Sequence, residues 1–344
     1  MNDIKIFDST LRDGSHAIAH TLTPENVARY CRAIDGSGVH VVIVGHGNGL
    51  GASSLQVGLS SASDEALLKA ARKELKHTKL GVLIFPGFGT IEDDLKPALA
   101  LGTDVILVAA HCTEADLTAQ YISYAKTQKK EVYGMLMMYH MTTKERLLTE
   151  AKKMEGYGAQ GLLLMDSAGA STPALVKETV SHLVGNLSIP VGFHAHNNLG
   201  MAVAHTWIAL EAGARIVDGT VKGFGAGAGN CALEVLTALL QKMGYKTPTN
   251  LYKLMDAGDE LERSIMKKPQ EISSISIASA LAGVFSGFAR PVKRAAEIYG
   301  VDPRDIFKIL GERRIIVGQE DMVFEIAMEL AKLKKGKSNK AIKQ

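Results

Sequence analysis

The feature that most limits what this chain can fold into is a set of eight short apolar, β-branched runs. They lie at Ile4–Phe7, Val39–Val44, Leu80–Phe85, Val105–Ala110, Val132–Met137, Gly161–Met165, Ile189–Phe193 and Ala214–Val217. Helical signals fill the stretches between them. Thr23-Pro24 supplies a cap and a first-turn proline, Thr142-Thr-Lys-Glu145 a capping box, and Thr172-Pro173 another helix start. Strands that are apolar throughout, rather than alternating, belong in a parallel sheet covered on both faces. Eight strand-plus-helix units predict a closed (β/α)8 TIM barrel, with an open doubly wound sheet as the alternative.

In such a barrel the chemistry gathers at the C-terminal ends of the strands. Each run here turns polar or glycine-rich: Asp8 to His16, His46-Gly-Asn-Gly49, Pro86 to Gly89, His111 to Glu114, Tyr139-His140, Asp166-Ser167, His194-Ala-His196 and Asp218 to Asn230. Seven of the eleven histidines (16, 20, 46, 111, 140, 194 and 196) fall in or beside these segments. Taken singly, His111 and His140 read as structural histidines bonding backbone carbonyls.

From residue 251 the strand-like runs stop and helical spacing takes over, through Leu251–Met266, Ile277–Phe288, Pro291–Tyr299, Asp302–Leu310 and Asp321–Leu333. The organisation expected is a catalytic barrel over 1–250, a helical C-terminal domain over 251–333, and a basic, frayed tail over 334–344. Ser273–Phe288 is apolar all round and rich in Ser, Ala and Gly, which suits a buried helix or a surface held by a partner. There are 39 basic and 36 acidic residues, and six of the lysines lie in 332–344, so the remainder carries 33 against 36. The basicity therefore belongs to the tail, and no nucleic-acid face is expected. Three cysteines without paired spacing indicate neither a disulfide framework nor a structural zinc site, as expected of a cytoplasmic protein. No run of about 18 apolar residues is present, so no membrane partner is expected.

His194-Ala195-His196 closes the seventh run. Residues i and i+2 of a strand share a face, so both imidazoles can point into the barrel mouth and converge on one ion. In a closed barrel the first strand lies beside the eighth, which brings an acidic ligand from the Asp8–His16 segment within reach. Two imidazoles and a carboxylate leave open positions on Mg²⁺ or Mn²⁺, where a 2-oxo acid can chelate.

Thr10-Leu-Arg-Asp-Gly-Ser-His-Ala17, His194 to Asn198 and Gly225-Ala-Gly-Ala-Gly-Asn230 together resemble the metal-dependent, class II pyruvate aldolases. These are relatives of the isopropylmalate synthases and hydroxymethylglutaryl-CoA lyases. The similarity extends through His46 to Leu50, His111 to Asp116, Met154 to Gly158 and Gly318-Gln-Glu-Asp-Met322, the last favouring the 4-hydroxy-2-oxovalerate aldolase branch. The resemblance implies Asp13, His194 and His196 as metal ligands, with Asn230 a further ligand or a partner of the histidines. It implies Arg12 as enolate stabiliser and His16 as base. The cofactor implied is Mn²⁺, with Co²⁺ or Mg²⁺ as alternatives, and the reaction is cleavage of 4-hydroxy-2-oxovalerate, or a related acid, to pyruvate and an aldehyde. The partner implied is an acylating acetaldehyde dehydrogenase, beside a possible homo-oligomer.

The chemistry of the residues agrees with these roles. Cleaving a 4-hydroxy-2-oxo acid leaves an electron pair on the 2-oxo side, which a cation and an adjacent guanidinium must hold. A histidine suits removal of the 4-hydroxyl proton, with His20 competing with His16 for that step. Ser167, His20, Phe285 and Tyr139 are expected to line the substrate pocket with Arg12, although Asp166-Ser167 could equally be a turn. Gly223 to Ala228 satisfies a loose G-x-G-x-x-[GA], but it follows the last strand and lacks the acidic partner, so no nucleotide is expected. Ile43, Asn48 and Phe285 stand where the resemblance leads one to expect Glu, Asp and Tyr. Phe285 lacks a hydroxyl. Three other readings remain: a Claisen-type synthase on the same metal platform, a Schiff-base aldolase through Lys222, and a non-catalytic scaffold subunit. The first reading needs no Schiff-base lysine.

Overall fold

The computed structural model describes residues 4–341. Eight parallel strands close into one barrel in chain order: β1 (Lys5–Asp8), β2 (Val41–Ile43), β3 (Lys79–Ile84), β4 (Val105–His111), β5 (Glu131–Met137), β6 (Leu162–Asp166), β7 (Val191–Ala195) and β8 (Ile216–Gly219). Every run read from the sequence becomes a strand, with ends displaced by no more than two residues. Closure is made by β8 on β1, where Asp8 stands opposite Gly219, and this removes the open-sheet alternative.

Each strand puts alternate residues on opposite sides. Phe7, Ile43, Leu107, Tyr133, Met135, Leu163 and Ile216 fill the barrel interior. Ile6, Val42, Leu80, Ile106, Val132 and Phe193 face outward against the helices. The helices begin where side chains satisfy free backbone donors. Thr23, Ser63 and Thr172 each accept from the amide three residues on. The cap expected at Thr142 falls one residue later, on Thr143, which accepts from Arg146.

Beyond the barrel lie helices Leu251–Ser264, Ser274–Ala282, Ala289–Tyr299, Pro303–Glu312 and Asp321–Ala341. Leu254, Ala257 and Leu261 of the first pack into the barrel's outer layer, and Arg29 pairs with Glu260 at 2.7 Å. This helix therefore packs with the barrel, although the sequence pattern assigned it to the helical region. The final helix runs to Ala341, past the expected end of helical spacing at Leu333; residues 342–344 of the expected tail lie outside the described residues.

The Ser273–Phe288 stretch is not one buried helix. It breaks at Gly283, whose left-handed φ of 64° ends the helix. Ser276, Ser279 and Ala280 are buried, while Ile277 and Leu281 face solvent. The chain then returns to the barrel mouth, where Ser286 donates from its amide (2.9 Å) and hydroxyl (2.8 Å) to the Ser167 carbonyl. Val284, Phe285 and Phe288 thereby join the barrel interior to the core of the helical region in one apolar cluster. No helix among the described residues is long and apolar enough to cross a membrane.

Candidate metal and catalytic site

The seventh strand delivers its two histidines to one side, as period two requires. Nε2 of His194 and Nε2 of His196 lie 3.3 Å apart, and Oδ2 of Asp13 is 4.0 and 3.9 Å from them. These three residues form the metal-competent cluster found among the described residues, and all three are buried. Nδ1 of His194 donates to Oδ2 of Asp218 at 3.0 Å, leaving the Nε2 lone pair free toward the cluster. Asp218 was not singled out in the sequence, and it is the residue that fixes the His194 tautomer.

Asp13 is held by two further donors. The Ala226 amide (2.9 Å) and Nδ2 of Asn230 (2.8 Å) both reach Oδ1, which leaves Oδ2 turned to the imidazoles and to Arg12. Oδ1 of Asn230 is buried without a partner. A Cβ on Gly225 would lie 1.9 Å from the Asn230 amide and 2.5 Å from Oδ1 of Asp13. The glycine-rich loop is thus a wrap around Asp13. Burial alone would raise the Asp13 pKa, but Arg12, His196, His16 and His194 outweigh it and hold the carboxyl well below its usual range. Burial pushes His196 down to about 4, against the pull of Asp13. An ionised carboxylate beside the neutral His196 imidazole and the Nε2 of His194 is the donor set that a divalent cation takes. The unpartnered Asn230 oxygen adds to that fit.

The Arg12 guanidinium is buried. It donates to Oδ2 of Asp13 (2.9 Å), the Gly47 carbonyl (3.2 Å) and Oγ of Ser9 (3.4 Å), and its Nε has no partner. His16 packs edge-on to His20 (5.0 Å between centroids) and to Phe285 (6.0 Å). Burial lowers His16 to about 4 against the pull of Asp13, so its imidazole is neutral at neutral pH. His20 stacks on His46 at 3.6 Å, and its amide follows Ala19 in a second consecutive left-handed backbone position. Its Nδ1 accepts from the Gly47 amide at 3.4 Å.

A cavity of about 390 Å³ opens between the barrel mouth and the helical region. His16, His20, Asn48 and Phe285 line it, whereas Arg12 and the three cluster residues lie outside its lining. Gln56 reaches over its edge to the Gly318 carbonyl and to Glu320. The structure does not bring Tyr139 here. Its ring sits in the layer outside the barrel, edge-on to Phe193, with its hydroxyl 2.6 Å from Oγ of Ser171. Ser167 is likewise outside the lining, its Oγ accepting from the Met138 amide. Nε2 of His140 lies 3.1 Å from the Gly283 carbonyl, a structural role. Lys222 pairs with Glu262 at 3.2 Å, packed against the helix Leu251–Ser264 rather than in the mouth. Ile43 is buried in the barrel interior.

Comparison with known proteins matches this sequence to a family. Residues 3–261 match the HMGL-like family, and residues 270–332 match the DmpG-like communication domain. The protein named 4-hydroxy-2-oxovalerate aldolase in Pectobacterium atrosepticum is 53% identical over 329 residues, covering 96% of both chains. The one so named in Spirochaeta aurantia is 52% identical over 327 residues, 95% of this chain and 96% of its own. The chain belongs to the 4-hydroxy-2-oxovalerate aldolase family. Relatives of that aldolase family at such coverage weigh against the synthase reading. Solved structures share the fold. The N-terminal domain of a putative aldolase from Bacteroides vulgatus superposes with a TM-score of 0.70 at 24% identity, over 83% of this chain and 95% of its own. The carboxyl transferase domain of Rhizobium etli pyruvate carboxylase gives 0.81 at 16% identity, over 97% of this chain and 62% of that one.

Proposed function

We propose that this chain cleaves 4-hydroxy-2-oxovalerate to pyruvate and acetaldehyde, using a divalent cation. The observation that carries this reading is the convergence of Asp13, His194 and His196 on one point, with the Arg12 guanidinium 2.9 Å from the same carboxylate. The cation, Mn²⁺ with Co²⁺ or Mg²⁺ as substitutes, would be held by those three residues and would supply Lewis acidity at the substrate's 2-oxo oxygen. Arg12 presents positive charge beside that oxygen, fixed in place by Asp13, Gly47 and Ser9. His16, neutral and open to the cavity, accepts the proton of the 4-hydroxyl as the C3–C4 bond breaks. The electron pair of that bond moves toward the 2-oxo oxygen, opposite Arg12. A proton returned to C3 completes pyruvate, and the oxidised C4 fragment leaves as the aldehyde. His20 is the second imidazole of the cavity and accepts the Gly47 amide, which favours His16 as the base.

The region matching the communication domain carries exposed Ile277 and Leu281, an apolar face fit for an acylating aldehyde dehydrogenase that takes the aldehyde directly. Pyruvate release from a panel of 4-hydroxy-2-oxo acids tests the reaction. Release from the five-carbon acid supports it, and no release from any member with any divalent cation removes it. Light scattering of mixtures with such a dehydrogenase tests the partner.

A further inference from the structure

Two cavities reach His16. The first is that of about 390 Å³ already described, and a second of about 440 Å³ approaches from the segment that links barrel and helical region. Arg290 lines both, Arg294 lines the first, and Lys267 and Lys268 line the second. All four side chains are exposed, and none forms an ion pair among the described residues. The acidic residues on the same linings are Glu320, whose carboxyl is engaged by Gln56 and the Gly318 amide, and Glu271. Cations are thus in excess at both openings.

Helix stability does not account for the placement of the arginines. Arg290 stands in the first turn of the helix Ala289–Tyr299, which has no acidic residue there. A cation at that end opposes the helix dipole. Arg290 and Arg294 are also a like-charged pair at i,i+4, which costs further stability. A local arrangement unfavourable to its own helix points to a function served elsewhere.

We infer that Arg290 and Arg294 form a cationic collar that draws the carboxylate of the 2-oxo acid into the cavity above His16 and sets its capture rate. This rests on the aldolase reading above, because it requires an anionic substrate. The collar speeds encounter and does not touch the reacting atoms.

The test compares wild type with Arg290→Gln, Arg294→Gln and the double variant, in holoenzyme loaded with Mn²⁺, at low and high KCl. The expected result is a kcat/KM for 4-hydroxy-2-oxovalerate lowered about tenfold at low salt in the double variant, with kcat changed less than twofold. Wild-type kcat/KM falls as salt rises, and the double variant's falls less steeply, Lys267 and Lys268 remaining at the second opening. Equal loss in kcat and kcat/KM, or salt profiles that coincide, overturns the collar. Calorimetric titration with pyruvate separates this from the reaction itself. Weaker pyruvate binding in the double variant of a protein that cleaves nothing would retain the collar and remove the aldolase reading. Unchanged pyruvate affinity beside unchanged kcat/KM would remove the collar alone.

Discussion

Asp218 accepts a hydrogen bond from Nδ1 of His194 at 3.0 Å, and the two residues are register partners on the adjacent strands β7 and β8. Both are fully buried, so the imidazole has one tautomer available and its Nε2 is committed to the cluster with His196 and Asp13. A cation held by that cluster would be tuned by this carboxylate from outside its ligand set.

Asp218→Asn therefore lowers cation affinity by about 10- to 100-fold while leaving the barrel folded. Competition with a fluorescent chelator measures the affinity, and circular dichroism the fold. Unchanged affinity would show that His194 holds its tautomer by other means.

Gly47 guards the position of His16. A Cβ there would lie 2.3 Å from Nε2 of His16 and 2.5 Å from its two neighbouring ring carbons. Gly47→Ala should displace the imidazole and cost roughly a hundredfold in kcat, with cation binding retained. The backbone at Gly47 is outside the left-handed region, so thermal stability should change little. Full activity in this variant would mean that His16 is not the base.

Asp8, outside the three-residue cluster, offers a pH test of stability. Burial raises its carboxyl from 3.8 to about 6, despite hydrogen bonds from Thr10 and Tyr30. A carboxyl raised on folding favours the folded state below pH 3.8, and that contribution is lost as pH rises through about 6. At pH 7 the buried charge costs about 3 kcal/mol relative to pH 4, from the size of the shift. The stability of Asp8→Asn relative to wild type should accordingly rise by up to that amount between pH 4 and 7. Urea unfolding of both proteins across this range checks it, and parallel curves would contradict it.

Much of the fold and part of the site were legible in the sequence, for identifiable reasons. Eight predominantly apolar runs favour burial on both faces in a parallel sheet, and His194 and His196 must share a side because strands repeat every two residues. Asp218 was not legible because its link to His194 depends on register between strands 24 positions apart. Tyr139 lies away from the pocket that its position after β5 suggests, because Met138 takes a left-handed φ of 54°, which turns the chain there and sends the ring outward. Chemistry alone could not reveal this. Gly283 was a visible stop signal inside Ser273–Phe288, but the apolar run on both sides masked it. The return of Phe285 to the barrel mouth depends on Ser286 meeting the Ser167 carbonyl, a contact across 119 positions.

Arg12→Lys separates charge from shape. An ammonium cannot reproduce a planar fork that spans Asp13, Gly47 and Ser9, so kcat should fall by roughly a hundredfold or more while pyruvate still binds. Steady-state rates and pyruvate titration on the same preparation report both. Retention of wild-type kcat would remove Arg12 from its assigned role.

Whether Asp13, His194 and His196 hold a cation on which cleavage depends is decided by pyruvate release from 4-hydroxy-2-oxovalerate by chelator-stripped protein. Stripped protein should release none, added Mn²⁺ or Co²⁺ should restore release, and His194→Ala should not recover. Full turnover by stripped protein without any added cation would contradict it.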